Sequence, residues 1–366
     1  MDLTTIRRLF PILKSGIYLN HAATCPVSSA TIKQMKTYCQ QMEEPFAKHY
    51  SPWLELIQET RKLLAELLGC QGDELALTPN TSTALSLVAN SIGLKPGDGV
   101  LIPRDEFPSN RYVWENLQNI GIDCTFFDLP PNRSLIEVLE EQNLKNVRLI
   151  SVSLVNYLTG KKIDLAQFGD FCKKYEIYSC VDGIQGVGTF PIQLDTLNID
   201  FFAGAAQKWL LGPLGCGYLY IRKDLIEKLH VPLVGWTSVH RPEDFETRKL
   251  EFAEGAVRFE PGLPNIVSIA GLHASLTELK QIGWHMIYKR IQSHTAYLLE
   301  HLPTLISDPN ELGAIVTVKS PDSPDLQRTF EEKEITVTLR GGLIRIAPHF
   351  YNTHAELDQL LQQFPR

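Results

Sequence analysis

Three apolar runs constrain this chain most: Val147 to Val155 (VRLISVSLV), Ile177 to Val181, and Asp200 to Ala206. The first is nearly free of polar alternation, the pattern of a strand covered on both faces. The apolar run of ELALTP that stops at Pro79, Gly99 to Pro103 and Cys124 to Leu129 read as further strands. Between such runs the apolar residues recur at helical spacing. Thr31 to Gly69 is the clearest case (LIQETRKLLAELLG near its end), and it closes on a glycine suited to a helix C-terminus. Strands alternating with helices predict an α/β chain with a mostly parallel sheet.

In an open sheet of this kind the carboxyl ends of neighbouring strands face one crevice, so residues distant in sequence can meet one ligand. Asp182 closes one apolar run, Gln185 follows it, and Lys208 follows the next, just before the glycine-rich turn of WLLGPLGCG. Pyridoxal phosphate needs such a trio. Its aldehyde takes a lysine amine, its ring nitrogen needs an acidic partner, and its phenolic oxygen accepts a hydrogen bond. Each residue alone has a plainer reading: Asp182 as a turn cap, Gln185 as a surface amide, Lys208 as a solvated lysine.

Other segments supply compatible groups. In ELALTPNTSTALSLVANSIG a strand leads through Thr81 and Ser82 into a helix, where free backbone N–H groups and the dipole favour an anion such as phosphate. The alternative there is an ordinary N-cap. Phe107, in DEFPSN, suits either the core or the face of an aromatic ligand. Asn156, Tyr157, Thr159 and Gly160 gather polar groups at another strand end. Arg345, in LIRIAP, lies on the strand face opposite Ile344 and Ile346. It is either solvated or aimed at a substrate carboxylate. Trp236, Arg258 and Glu260 are the contact candidates in a loop-rich stretch after Ile221. The GVGTF run at 186–190 lacks the third glycine of a dinucleotide fingerprint.

Composition removes several classes. Net charge is −7 with no basic stripe, which argues against nucleic acid. No stretch approaches the about 18 unbroken apolar residues of a membrane span. The N-terminal MDLTTIRRLFPILKSG lacks the apolar core of a secretory signal, so a cytoplasmic location is expected. Seven scattered cysteines without a CxxC pair predict neither a disulfide framework nor a metal site.

Taken together, YLNHAAT, TPNTSTALSLVA, DEFPSN, SLVNYLTG, VDGIQGVG, QKWLLGPLGCGYLY, RFEPGLPN and IRIAPHFYNTHAELDQLL resemble the class V aminotransferase family of fold type I pyridoxal phosphate enzymes. Its members include cysteine desulfurases, kynureninases and isopenicillin N epimerase-like proteins. The resemblance spans nearly the whole chain. It implies a large cofactor-binding domain over 18–265, with a mostly parallel mixed sheet, and a small α+β domain from 1–17 and 266–366. It also implies Lys208 as the Schiff-base lysine, Asp182 under the ring nitrogen, and Gln185 and Asn156 near the phenolic oxygen. Thr81 and Ser82 would hold the phosphate, Phe107 would stack on the ring and Arg345 would bind the substrate carboxylate.

A homodimer with active sites near the subunit interface, the GLPN region reaching across it, is implied as well. The sequence departs from the pattern at Ala205, Ala206 and Gln207, where many relatives carry a hydroxyl and a histidine or tyrosine, although Gln207 can still donate a hydrogen bond to the cofactor. Leu263 stands where some members have a phosphate-touching hydroxyl. Ser320 to Gly342, the segment that carries the persulfide-forming cysteine in desulfurases, contains no cysteine. The expected activity is Schiff-base formation with a small L-amino acid and removal of its α proton, followed by transamination or β-elimination. The alternatives are a desulfurase using a non-standard cysteine, with Cys25 and Cys216 as candidates, and a non-catalytic binding protein that keeps the fold.

Overall fold

The computed structural model describes residues 2–246, 249–302, 305–306, 311–319, 323–340 and 342–364. The strands, in chain order, are β1 Ile17–Tyr18, β2 Leu75–Thr78, β3 Gly99–Pro103, β4 Asp123–Phe127, β5 Val147–Ser153, β6 Tyr178–Asp182, β7 Phe201–Ala205, β8 Gly217–Ile221, β9 Val316–Lys319, β10 Ile335–Thr336, β11 Thr338–Arg340 and β12 Leu343–Ile346. The large sheet has the order β2-β8-β7-β6-β5-β3-β4. Strands β3 to β7 pair in parallel, and β8 runs antiparallel to both β2 and β7. The mostly parallel sheet read from the apolar runs is therefore present, and it is mixed, as the family resemblance implies.

Two cores, one on each face, explain why those runs do not alternate. Along β7, Phe202 joins the core under the helices Phe46–Leu68 and Ile266–Ile282, while its neighbour Phe201 joins the core under the helix Thr81–Ser91. Both rings are fully buried, as expected for a strand sandwiched between helices. The helical pattern of 31–69 resolves into two helices, Ser29–Gln41 and Phe46–Leu68. Pro45 separates them, because a proline disfavours helical geometry in the residue before it. Gly69 closes the second with φ of 61°, the left-handed cap that glycine adopts without strain.

The smaller layer is the antiparallel sheet β11-β12-β9, joined by the parallel pair β1 and β10. The run Glu334 to Leu339 serves two partners: β10 pairs with β1 and β11 with β12. A third core, including Leu19, Leu298, Val316, Ile344 and Leu357, fills this layer.

Two of the loop residues singled out for contact are structural. Glu260 is buried against Arg61, with Nη1–Oε1 at 2.5 Å, and accepts the Leu77 backbone N–H at 2.7 Å. Arg258 is buried and donates to the Ala253 carbonyl at 2.9 Å. Trp236 remains 42% exposed.

Candidate active site

A cavity of about 330 Å³ lies where the carboxyl ends of β6 and β7 meet the small layer. Asp182 and Lys208 both line it. Asp182 is the last residue of β6 and 2% exposed. Burial pushes its carboxyl up to about 6, opposed by the Ile184 N–H, which donates to Oδ1 at 3.0 Å, and by the Lys208 charge. Burial pulls the Lys208 amine down to about 8, opposed by Asp182. Between those values both groups carry charge, so near neutral pH the cavity holds an acid–amine pair whose amine gives up its proton readily.

The turn that presents Lys208 is tightly made. Leu211 sits at φ of 50°, and Gly188, at φ of 93°, lies so close that a Cβ on it would be 2.9 Å from the Trp209 carbonyl oxygen. That close approach accounts for the glycine in GVGTF.

The Phe107 ring lines the cavity with 37% of the residue exposed, and the Lys208 Nζ lies 5.6 Å from its centroid. Tyr157 meets the same ring edge-on at 5.2 Å. Opposite, Thr81 and Ser82 begin the helix Thr81–Ser91. The Asn80 cap takes the Thr83 N–H at 2.9 Å and leaves the first helical N–H groups for another acceptor. The Thr81 Oγ1 is buried without a partner among the described residues, and the Ser82 hydroxyl bonds Ser109 at 2.8 Å.

Arg345 reaches the cavity from β12 and is 8% exposed, so it is no solvated strand residue. Its Nη1 donates to the Tyr157 carbonyl at 2.7 Å and its Nη2 to the Thr338 hydroxyl at 3.3 Å. Its Nε is buried with no acceptor among the described residues. Burial pulls its pKa down to about 10, and Arg340 adds to the effect, so it stays protonated at neutral pH.

Gln185 and Gln207 also line the cavity. Asn156 does not: its Oδ1 accepts the N–H groups of Leu158 and Thr159 at 3.0 and 2.9 Å, and its Nδ2 donates to the Asp105 carbonyl at 2.9 Å. It shapes the turn that carries Tyr157. Leu263 is absent from the cavity lining and 37% exposed.

Two charged residues went unread in the sequence. Arg340 lines the cavity and has no carboxylate partner among the described residues; the signal was a second arginine in TLRGGLIRI. Glu106, buried behind the site, accepts the Ser153 N–H at 2.7 Å and the Ser153 hydroxyl, and burial pushes it up to about 7. Its signal was the acid inside DEFPSN.

The thiols lie elsewhere. Cys25 and Cys216 are buried, each bonded to a backbone carbonyl at 3.4 Å, and neither lines the cavity. Burial pushes both up, Cys216 to about 12, so neither forms a thiolate readily. Of the cysteine-free segment Ser320 to Gly342, residues 320–322 and 341 lie outside the described residues. Among the described residues no cluster of three or more His, Cys, Asp or Glu is placed to hold a metal, and no helix is long and apolar enough to cross a membrane.

Pyridoxal phosphate fits this arrangement. The orphaned Thr81 hydroxyl and free helix N–H groups suit its anionic end, the open Phe107 face its ring, and the Lys208 amine its aldehyde.

The family profile Aminotransferase class-V matches residues 17–360. A probable cysteine desulfurase of Methanothermobacter thermautotrophicus is 26% identical, with 97% of this chain and 95% of that protein covered. An isopenicillin N epimerase of Amycolatopsis lactamdurans is also 26% identical, with 84% of each covered. Among solved structures, the cystine C-S lyase C-DES in complex with cysteine persulfide shares the fold, with a TM-score of 0.89 at 24% identity, covering 97% of this chain and 98% of that one. The chain belongs to the class-V aminotransferase family of pyridoxal-phosphate enzymes.

Proposed function

We propose that this enzyme is a β-eliminating C–S lyase that acts on a sulfur-containing amino acid with a second carboxylate, of which cystine is the simplest. The observation that carries the reading is a cavity with two guanidinium groups, Arg345 and Arg340, and no thiol among the described residues of its lining. One arginine suits the α-carboxylate. The other, without a carboxylate partner among the described residues, suits a carboxylate at the far end of the substrate. Relatives named as cysteine desulfurases and a neighbour named as a cystine C-S lyase make sulfur chemistry the natural class. The burial of Cys25 and Cys216 weighs against a protein persulfide, so the sulfur leaves on the small molecule.

Bound pyridoxal phosphate supplies an aldehyde for the substrate amine and a ring that delocalises the electrons left when the α proton departs. Lys208 would hold that aldehyde. Its Nζ is also the base for the α proton, and its lowered pKa keeps part of the amine unprotonated at neutral pH. Asp182 would face the ring nitrogen and keep it protonated. Thr81 and Ser82 would hold the phosphate with hydroxyls and helix N–H groups, and Phe107 would cover the ring. Gln185 would donate to the phenolic oxygen, with Gln207 also in the lining. Arg345 fixes the α-carboxylate so that the α C–H bond is offered to Lys208.

The enzyme works as a homodimer in this reading. Leu233, Val234, Trp236 and Leu263 leave apolar surface exposed in the loop-rich stretch before the helix Ile266–Ile282, which a second copy would cover.

Incubating the cofactor-loaded enzyme with cystine, cysteine, alanine and aspartate tests the proposal. Pyruvate and sulfane sulfur from cystine support it. Amino-group exchange with a keto acid, and no pyruvate from any sulfur amino acid, refutes it.

A further inference from the structure

The Gln185 amide is held at both ends by groups of opposite character. Its Oε1 accepts the Trp209 indole N–H at 2.9 Å, and its Nε2 donates to the Ala22 carbonyl at 2.9 Å. An indole N–H only donates and a backbone carbonyl only accepts. Turning the amide over would set N–H against N–H and oxygen against oxygen, losing both bonds at a site where Trp209 is 1% and Gln185 2% exposed. Only one orientation is stable. In it, one Nε2 hydrogen goes to Ala22 and no second acceptor for the other is present among the described residues, while Gln185 lines the cavity.

Trp209 is itself anchored. The His349 Nδ1 accepts the Phe350 N–H at 2.9 Å, which places the ring proton on Nε2, and that N–H donates to the Trp209 carbonyl at 3.1 Å. The indole also packs against the rings of His21, at 6.2 Å, and His349, at 5.6 Å, which lie 5.1 Å from each other. A chain of donors thus runs from the C-terminal segment through the residue next to Lys208 to the cavity-facing amide.

We infer that Trp209 is a positioning residue: its indole N–H fixes the Gln185 amide so that an N–H, not a carbonyl oxygen, is turned toward the oxygen of the cofactor ring. A phenylalanine would fill most of the same space. What it would lack is the donor that decides which end of the amide meets the ligand. With that donor gone, the amide can rotate and set its own oxygen against the ring oxygen, a repulsive contact where an attractive one stood. The inference rests on the family's cofactor and on Gln185 facing it, and is independent of whether the reaction is an elimination.

The test uses full-length W209F, Q185A, their double variant and Q185E, each titrated with pyridoxal phosphate, with the visible absorption of the bound cofactor followed against pH. W209F is expected to bind the cofactor roughly 3- to 10-fold more weakly and to shift the pH at which the visible band changes. The double variant should be no weaker than Q185A, because Trp209 acts through Gln185. Q185E keeps the acceptor for Trp209 but has no donor, so it should show the same spectral shift even if W209F fails to fold. Additive losses in the double variant, or a wild-type spectral titration in W209F or Q185E, would overturn the inference. A purely packing role would lower the melting temperature of W209F and leave that titration unmoved.

Discussion

The Arg345 guanidinium is clamped by the Tyr157 carbonyl at 2.7 Å, while its buried Nε–H has no acceptor among the described residues. A donor buried in this way is costly unless a ligand satisfies it. Arg345→Lys keeps the charge but loses the planar fork. It should raise KM for the amino acid roughly 10- to 100-fold, with a smaller change in kcat, since a charge-assisted bond contributes about 1.5–3 kcal/mol. Steady-state kinetics check this, and the bound-cofactor spectrum without substrate should be unchanged.

Arg340 is expected to discriminate among substrates. Arg340→Gln should raise KM for cystine by roughly 2- to 5-fold, the worth of one exposed ionic contact, and leave cysteine nearly unaffected. Equal effects on both substrates would remove the second carboxylate from the account.

Thr81 offers a separate test of the phosphate end. Its hydroxyl is buried and unpaired among the described residues. Thr81→Val keeps the shape, so the cofactor-free protein should be as stable as the wild type or more so, whereas affinity for pyridoxal phosphate should fall roughly 3- to 10-fold. Thermal unfolding with and without cofactor separates the two effects.

Asp182 makes a pH-dependent prediction in the cofactor-free protein. Burial raises its folded pKa to about 6 from its ordinary 3.8. Between those values the folded state binds the extra proton, so stability falls as pH rises through this window and stays reduced above it. Asp182→Asn escapes the penalty. The variant without cofactor should match the wild type near pH 4 and exceed it by about 1–3 kcal/mol at pH 7, while binding pyridoxal phosphate poorly. Denaturant titrations across that range measure the difference.

The Arg61–Glu260 pair, by contrast, belongs to the fold. Both side chains are almost fully buried, and Glu260 also holds the Leu77 N–H at the start of the large sheet. Glu260→Ala leaves a buried guanidinium unpaired and should cost about 3–5 kcal/mol in denaturant unfolding.

These residues show what a sequence carries and what it withholds. The strands β5, β6 and β7 were legible because they are covered on both sides, and such burial leaves uninterrupted apolar runs. Asp182, Gln185 and Lys208 stood out because each follows one of them, and strand ends meet in space. The antiparallel direction of β8 left no such mark, since GYLYI reads alike in either direction of pairing. Asn156 was drawn toward the ligand by its place at a strand end, yet asparagine satisfies a turn's own backbone equally well, and here it does. Arg340 and Glu260 show the converse. Whether an exposed-looking charge faces a cavity or is paired in the core depends on partners more than a hundred positions away, such as the 199-residue separation of Arg61 and Glu260.

The central claim is that sulfur leaves as a small molecule and not on a protein thiol. The most direct measurement is a single turnover of the cofactor-loaded enzyme with cystine, recording pyruvate, small-molecule persulfide and the intact mass of the protein. The expected result is pyruvate and free persulfide in equal amounts with the protein mass unchanged, and loss of both products in Lys208→Ala. A protein heavier by one sulfur atom, or the substrate's amino group retained on the cofactor with no pyruvate formed, would contradict the account.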